Sequence, residues 1–219
     1  MYRIDIEEDN MFPEIGELKG DYHNEANCTI EKFSTKIKDL GEGDILEFGV
    51  CGALTTVAMA KENPDRKIFG FDHFKGLEKT EKPYWYKAGW EEGAFRLGDP
   101  NFPHIPDTIE EVYEIVKPYP NINIFVQDVH EMKEPSHYGI GKIVAVNIDV
   151  DIYEPTVSSL NFLDGCEWNE LYIRFDDWHG YDSGFDHHER LAAREWLFKN
   201  QYKCEIIEAG LAAGMMVWR

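Results

Sequence analysis

The sequence is poor in basic residues and has no long apolar run. Its 219 residues include 22 Lys and Arg against 42 Asp and Glu, which gives a formal net charge of −20. Because a field of this sign repels a phosphate backbone, the composition argues against nucleic acid as a partner. No apolar run approaches the roughly 18 residues of a membrane-spanning helix, so a membrane partner is not expected either.

Cysteine pairs and targeting signals are also lacking. The cysteines are far apart and form no CxxC pair, namely Cys28, Cys51, Cys166 and Cys204. This spacing predicts reduced thiols and argues against a zinc site or a disulfide frame. The first residues, Met1 to Glu8, are acidic and lack the basic-then-apolar pattern of a secretory signal. We therefore expect a cytoplasmic protein, and a homo-oligomer remains open.

Apolar segments of strand length recur along the chain. A length of 219 residues suits one α/β domain spanning 1–219. The first five segments are continuously apolar, as in parallel strands buried on both faces. The segments are Ile45–Gly49, Lys67–Phe71, Ile122–Val126, Ile143–Asp149, Leu171–Phe175, Lys203–Ile207 and Gly214–Trp218.

Helical stretches lie between most of these segments. Strand and helix alternation predicts a parallel sheet with helices on both faces. The link Ala209–Ala213 between the last two segments is too short for a crossover helix, so these two should form an antiparallel hairpin. The pattern predicts the Rossmann-like class I methyltransferase fold, a seven-stranded, mostly parallel sheet with an antiparallel last strand. An ordinary dehydrogenase sheet lacks that reversal.

One stretch, at about 73–106, has no clear period. Long irregular segments in compact domains are usually lids, binding loops or disordered regions, and high aromatic content argues against disorder. A lid-like insert is the prediction, and a satellite apolar cluster is the alternative. The aromatic residues are Tyr84, Trp85, Tyr86, Trp90, Phe95 and Phe102.

The first strand runs into a glycine-rich turn. The pattern there is ExGxxG, with Glu47, Gly49 and Gly52, and it differs from the GxGxxG of dinucleotide folds. Glycines allow a tight turn and close approach of the backbone to a ligand. An acid before the first glycine suits a cation better than a phosphate, and S-adenosylmethionine (AdoMet) carries an ammonium group but no phosphate. A purely structural turn is the alternative.

The next two strands end in acids as well. Asp72 lies 25 residues after Glu47, at a strand end where an acid can accept hydrogen bonds from ribose hydroxyls. Asp128 follows the third strand, and it is either an adenine contact or a cap of the following turn. Acids at three successive strand ends together favour AdoMet more than any one motif does.

Two aspartates stand at the end of each of the next two strands. Asp149 and Asp151 lie at the end of the fourth, and Asp176 and Asp177 at the end of the fifth. Parallel strands deliver their carboxyl ends to one crevice, so four carboxylates should crowd there and need a balancing cation. An oxygen-only set fits Mg²⁺, Ca²⁺ or Mn²⁺ better than zinc. Alternatively, the four cap helices and bond loop amides. His179 is either an assisting base or a bystander.

Four segments together resemble the macrocin O-methyltransferase family. They are "ILEFGVCGA", "IFGFDHFKGL", "IDVDIYEPT" and "IRFDDWHG", and the resemblance runs from about Gly43 to Phe198. Members of this family are metal-dependent sugar O-methyltransferases of antibiotic biosynthesis that use AdoMet. The glycine turn is generic, whereas the DxDxYxPT and FDDW motifs at their mutual spacing are fairly specific.

The resemblance implies a role for individual residues. It makes Asp151 the general base, Glu47 and Asp72 AdoMet contacts, and it implies Mg²⁺ ligands at Asp149, Asp176 and Asp177. The sequence departs from the family in its aromatic 73–106 stretch and in its short segment before Ile30, both of which shape the acceptor pocket in such enzymes.

The sequence therefore predicts an AdoMet-dependent and Mg²⁺-dependent O-methyltransferase acting on a hydroxyl of a small molecule. A sugar or sugar-bearing metabolite is the first expectation for the acceptor. One rival is a non-catalytic module that binds AdoMet or a nucleotide, and the set of four aspartates disfavours it. Another is an NAD-dependent oxidoreductase, which the missing GxGxxG and the terminal hairpin disfavour.

Overall fold

The computed structural model describes residues 27–80, 91–178 and 188–219. Its helices and strands alternate until the terminal hairpin. The helices are α1 (Ile30–Ile37), α2 (Leu54–Glu62), α3 (Ile109–Val116), α4 (Pro135–Tyr138), α5 (Tyr153–Asp164) and α6 (His188–Asn200). The strands are β1 (Asp44–Phe48), β2 (Ile68–Asp72), β3 (Ile122–Val126), β4 (Ile143–Ile148), β5 (Glu170–Phe175), β6 (Lys203–Ala209) and β7 (Ala213–Trp218).

The strands form one seven-stranded sheet in the order β3-β2-β1-β4-β5-β7-β6. Pairing is parallel from β3 to β5, and β7 is antiparallel to both of its neighbours. The hairpin turn is short, so β7 must return beside β6, and it fits between β6 and β5. The predicted mostly parallel sheet with a reversed last strand is thus confirmed.

The helices cover both faces of the sheet. On one face, Leu46, Val146 and Ile173 share an apolar cluster with side chains of α4, α5 and α6. On the other face, Ile45 and Ala145 pack with residues of α1 and α2. Neighbouring residues of one strand point to opposite faces, which explains why the central strands are apolar throughout. Among the described helices, none is long and apolar enough to cross a membrane.

Local patterns predict the strand bounds to within one or two residues. Thr108 caps α3 by accepting a hydrogen bond from the Glu111 N–H at 3.3 Å. One strand differs from its prediction, because β3 lies at the edge of the sheet and is only partly buried, with Val126 exposed. The sequence does not predict the short helix α4, whereas the turn that follows Asp128 is a 3-10 turn at Val129–Glu131.

Candidate functional site

A cavity of about 680 Å³ opens at the carboxyl edge of the sheet. This is the crevice at which ligands bind in open α/β sheets, and the volume lies in the range of small-molecule sites. Most of the predicted site residues that the structure describes line it, namely Gly49, Gly52, Asp72, Asp128, Asp149, Asp151, Asp176 and Asp177. The glycine turn and the four-aspartate cluster (Asp149, Asp151, Asp176 and Asp177) therefore share one space.

The glycine turn between β1 and α2 is tightly coiled. Gly49 has φ of 87°, and the non-glycine residues Cys51 and Ala53 have φ of 46° and 60°. Left-handed backbone costs non-glycine residues about 1–2 kcal/mol each, and it persists only where the surroundings enforce it. Residues Gly49–Gly52 of this turn form part of the cavity wall.

Asp72 holds this turn in place. Its carboxylate accepts hydrogen bonds from the N–H of Cys51 at 2.8 Å and from the N–H of Phe74 at 2.5 Å. It ends β2 and lines the cavity, with its side chain 15% exposed. A carboxylate has about four acceptor sites, so two backbone bonds leave room for ribose hydroxyls. The predicted ribose contact stays a prediction.

Asp128 and Gln127 form the wall beyond β3. The Asp128 carboxylate accepts the N–H of His130 at 2.9 Å and caps the 3-10 turn. Both residues line the cavity. Of the two interpretations for Asp128, the capping role is observed, and the adenine contact stays a prediction.

Glu47 takes a different position from the one expected of a ligand contact. Its side chain is completely buried, and it accepts hydrogen bonds from the Thr56 hydroxyl of α2 and from the Asn147 amide, the latter at 2.9 Å. It is not among the cavity-lining residues. Burial raises the pKa of the Glu47 carboxyl from 4.5 to about 7, although its hydrogen bonds lower it. The geometry thus gives Glu47 a structural position beneath the turn, and a direct cofactor contact stays untested.

The four-aspartate cluster follows directly on β4 and β5. The N–H of Asp149 donates to the Phe48 carbonyl at 2.9 Å, and the N–H of Asp176 donates to the Ile148 carbonyl at 3.0 Å. Asp151 adopts φ of 62°, in the left-handed region. The strand therefore ends at Ile148, and regular strand geometry does not extend to Asp151.

Burial and mutual repulsion act together on these acids. Burial first, and then the charges of neighbouring carboxylates, raise the pKa values of Asp149, Asp151 and Asp177 well above 3.8. A hydrogen bond between the Asp151 and Asp177 carboxyl groups lowers the pKa of the first and raises that of the second. Because several carboxyl groups lie close together, this site favours positively charged ligands.

Arg174 is a residue of the site that the sequence reasoning missed. It is only 5% exposed, and it ion-pairs with Asp176 while donating to the Asn147 side-chain oxygen at 2.8 Å and to the Cys28 carbonyl at 2.8 Å. The attraction of Asp176 and Asp149 raises its pKa against the effect of burial. An arginine inside the apolar run Leu171–Phe175 was the available sign, because a charge is rarely buried without a partner.

Glu189 is the second missed residue. It lies in the first turn of α6, is completely buried, and its Oε2 accepts the N–H of Asp177 at 3.0 Å. Its Oε1 makes no hydrogen bond with any described residue. Burial, followed by the charge of Asp177, raises its pKa well above 4.5. A glutamate in a helix carries no sequence pattern that would assign it to this site.

The chemistry of these donors fits a hard divalent cation, because every candidate ligand is a carboxylate oxygen. The arrangement of these carboxylates, however, does not form a complete set of metal ligands. Among the described residues, no three His, Cys, Asp or Glu side chains are grouped so that they could hold a metal ion. Asp176 is directed to Arg174 by their ion pair. The predicted Mg²⁺ site at Asp149, Asp176 and Asp177 is therefore not found preformed.

Part of the aromatic stretch forms another wall of the cavity. Leu77 and Ala94 pair through a backbone hydrogen bond of 2.8 Å, and Phe95 packs on Phe102 with ring centroids 4.3 Å apart. Phe95, Phe102 and His104 line the cavity. Tyr84, Trp85, Tyr86 and Trp90 lie outside the described residues, and so does His179, the second candidate base.

Several solved structures with a similar fold are methyltransferases. The calicheamicin methyltransferase CalS11 is 19% identical with a TM-score of 0.64, covering 86% of this chain and 77% of its own. The O-methyltransferase NovP is 18% identical with a TM-score of 0.59, covering 87% of this chain and 77% of its own. A putative caffeoyl-CoA O-methyltransferase from Staphylococcus aureus is 11% identical with a TM-score of 0.54, covering 87% of this chain and 82% of its own.

CalS11, which is also known in an apo structure, is described as a TDP-rhamnose 3'-O-methyltransferase of calicheamicin biosynthesis. No sequence family and no curated protein sequence matches this chain. Identities below 20% establish the architecture and leave the chemistry to the site itself. With its 3-2-1-4-5-7-6 sheet and reversed β7, the chain has the Rossmann-like fold of class I methyltransferases.

Proposed function

We propose that this protein is an AdoMet-dependent O-methyltransferase that acts on a hydroxyl of a small molecule. One observation carries the proposal: the glycine turn, Asp72 and the four-aspartate cluster line the same cavity. A methyl donor and an acidic, base-bearing surface must meet within bonding distance for transfer to a hydroxyl. A cavity of about 680 Å³ is in the range for small-molecule ligands.

The chain's own residues suit the two ends of this reaction. On the cofactor side, the turn offers backbone to a ligand without phosphate, and Asp72 offers acceptors to ribose. On the acceptor side, Asp151 is the proposed general base, since it lines the cavity and its raised pKa makes the carboxylate a stronger proton acceptor.

AdoMet, when bound, would supply the methyl group, and Mg²⁺, when bound, would supply a Lewis acid for the acceptor hydroxyl. The residues that would hold the metal are Asp149, Asp176 and Asp177. Excess negative charge favours a cation there, because three close carboxylates repel one another. Asp151 would then remain outside the metal's ligands.

A sugar hydroxyl is the acceptor that we propose to test first. CalS11, which shares this fold, is described as a TDP-rhamnose 3'-O-methyltransferase. In this chain, Phe95 and Phe102 pack on each other and line the same cavity as the acids. Aromatic faces suit the apolar face of a sugar ring, and carboxylates suit its hydroxyls.

The test is a methyl-transfer assay on the purified protein. Labelled AdoMet would be supplied with Mg²⁺ and with TDP-rhamnose or other nucleotide sugars, and calorimetry would measure AdoMet binding separately. Transfer to a hydroxyl supports the proposal. Tight AdoMet binding without transfer to any sugar would support the rival, a non-catalytic binding module. Failure to bind AdoMet would overturn both.

A further inference from the structure

A row of polar side chains crosses the middle of the buried sheet. Glu47, Asn147 and Arg174 are direct register partners on β1, β4 and β5. Their strand neighbours Ile45 and Ala145 pack toward α1 and α2, so the row lies on that face. We call these three residues the polar row. It ends at Asp176, with which Arg174 forms an ion pair.

The direction of each hydrogen bond in the row is fixed by chemistry. Arg174 can only donate, so the Asn147 oxygen must face it, and the Asn147 amide nitrogen must then face Glu47. The Cys28 carbonyl holds the third donor of Arg174 at 2.8 Å. Arg174 is therefore anchored on two sides, independently of Asp176, and its charge is held at the four-aspartate cluster.

We propose that Arg174 is a resident cation that competes with the divalent metal for Asp176. This inference rests on the proposed function, because it concerns the same site. In the structure Asp176 is paired with Arg174, and no ligating group of three is formed among the described residues. Only Oδ1 of Asp176 is paired with Arg174 in the structure. Under the proposal, binding of the metal through Asp149, Asp176 and Asp177 draws Asp176 away from Arg174. Arg174 thereby holds the acidic site together without metal and keeps its metal affinity moderate.

The proposal and a purely structural role for Arg174 predict different changes in metal affinity when the charge of Arg174 is removed. A buried guanidinium would repel a divalent ion held by the neighbouring carboxylates more strongly than it would in water. Removing only the charge should therefore tighten metal binding. If Arg174 merely supported the fold, its removal would loosen the site and weaken metal binding or leave it unchanged.

The experiment compares Arg174→Gln with Arg174→Lys by Mn²⁺ titration, monitored through the paramagnetic resonance of the free ion. Gln removes the charge but can still hydrogen-bond, and we expect it to bind Mn²⁺ about tenfold more tightly than the parent. Lys keeps the charge, so its affinity should stay close to that of the parent. Unchanged or weaker Mn²⁺ binding by Arg174→Gln overturns the proposal.

Arg66→Gln is the matched control. Arg66 also donates to backbone carbonyls, those of Ile37, Leu40, Gly41 and Gly43, but it does not line the cavity. Its loss should lower the melting temperature without changing the affinity for Mn²⁺. Tighter Mn²⁺ binding in this variant as well would overturn the proposal, because the effect would not be specific to Arg174.

A second measurement does not depend on any variant folding. In a crystal of the parent protein with Mn²⁺ and AdoMet, Asp176 should ligate the metal and stand beyond hydrogen-bond distance from Arg174. An Asp176 that stays on Arg174 while Mn²⁺ is bound overturns the inference but leaves the proposed function intact. A parent that binds no Mn²⁺ overturns the inference and the proposed metal dependence, while methyl transfer after chelation would preserve the proposed enzyme class.

Discussion

Gly49 lies directly against the backbone carbonyl of Asp149. A Cβ atom at Gly49 would stand far inside van der Waals contact with that oxygen, and the φ of 87° is also unfavourable for any other residue. The turn on the cofactor side and the first aspartate of the acidic cluster are thus packed backbone to backbone. A change at one of them must displace the other.

Gly49→Ala should therefore destabilise the protein by about 2–4 kcal/mol, combining left-handed strain with overpacking. Gly139→Ala is the control, since Gly139 has a similar φ of 77° but nothing within 4 Å of the added carbon. That variant should lose only the conformational part, about 1–2 kcal/mol. Urea unfolding measures both, and equal losses would show that the contact with Asp149 does not matter.

Asp72→Ala should weaken AdoMet binding by at least about tenfold. Two hydrogen bonds to a charged acceptor are worth about 1.5–3 kcal/mol each, and the turn also loses its anchor at Cys51. Asp99→Ala is the matched control, because Asp99 holds the N–H groups of Phe95 and Asn101 but does not line the cavity. Calorimetry on both variants is the measurement, and undiminished affinity in Asp72→Ala would reject the ribose contact.

Asp151→Asn should keep the fold, AdoMet binding and metal binding while lowering turnover about 10²- to 10⁴-fold. Asn tolerates the left-handed backbone found at this position, so the substitution removes the charge alone. Asp177→Ala should instead lose metal affinity and activity together. Metal titration and methyl transfer would be measured side by side, and full turnover in Asp151→Asn would remove it from the role of general base.

Glu47→Gln should flatten the dependence of stability on pH. The folded state raises the pKa of Glu47 from 4.5 to about 7 by burial, so it favours the protonated form. The stabilising contribution is then fully present below pH 4.5 and is lost as pH rises through about 7. Between pH 5 and 8 the parent should lose about 2–3 kcal/mol of unfolding free energy more than Glu47→Gln.

Urea unfolding at the two pH values checks this prediction. Glu110→Gln, at an exposed position, controls for the loss of one negative charge. Identical pH profiles for the parent and Glu47→Gln would contradict a buried carboxyl that is ionised only at the cost of stability.

Much of the fold follows from the sequence alone, because its determinants are local. Continuous apolar runs set β1, β2, β4 and β5, and the short link before Ala213 allowed only a hairpin. The acids at the strand ends followed from the same reasoning, since parallel strands bring their carboxyl ends to one edge. Asp72, Asp149, Asp176 and Asp177 accordingly line one cavity.

The tertiary structure decided what depends on register and on distant contacts. Register between β1, β4 and β5 is set by packing of the whole sheet, so the alignment of Glu47, Asn147 and Arg174 could not be derived from spacing. The same holds for Glu189, which reaches Asp177 only because of where α6 packs. The left-handed backbone at Asp151 likewise depends on its tertiary surroundings. The sequence thus determined which acids lie at the carboxyl edge of the sheet. Three-dimensional packing determined that the guanidinium of Arg174 lies next to them.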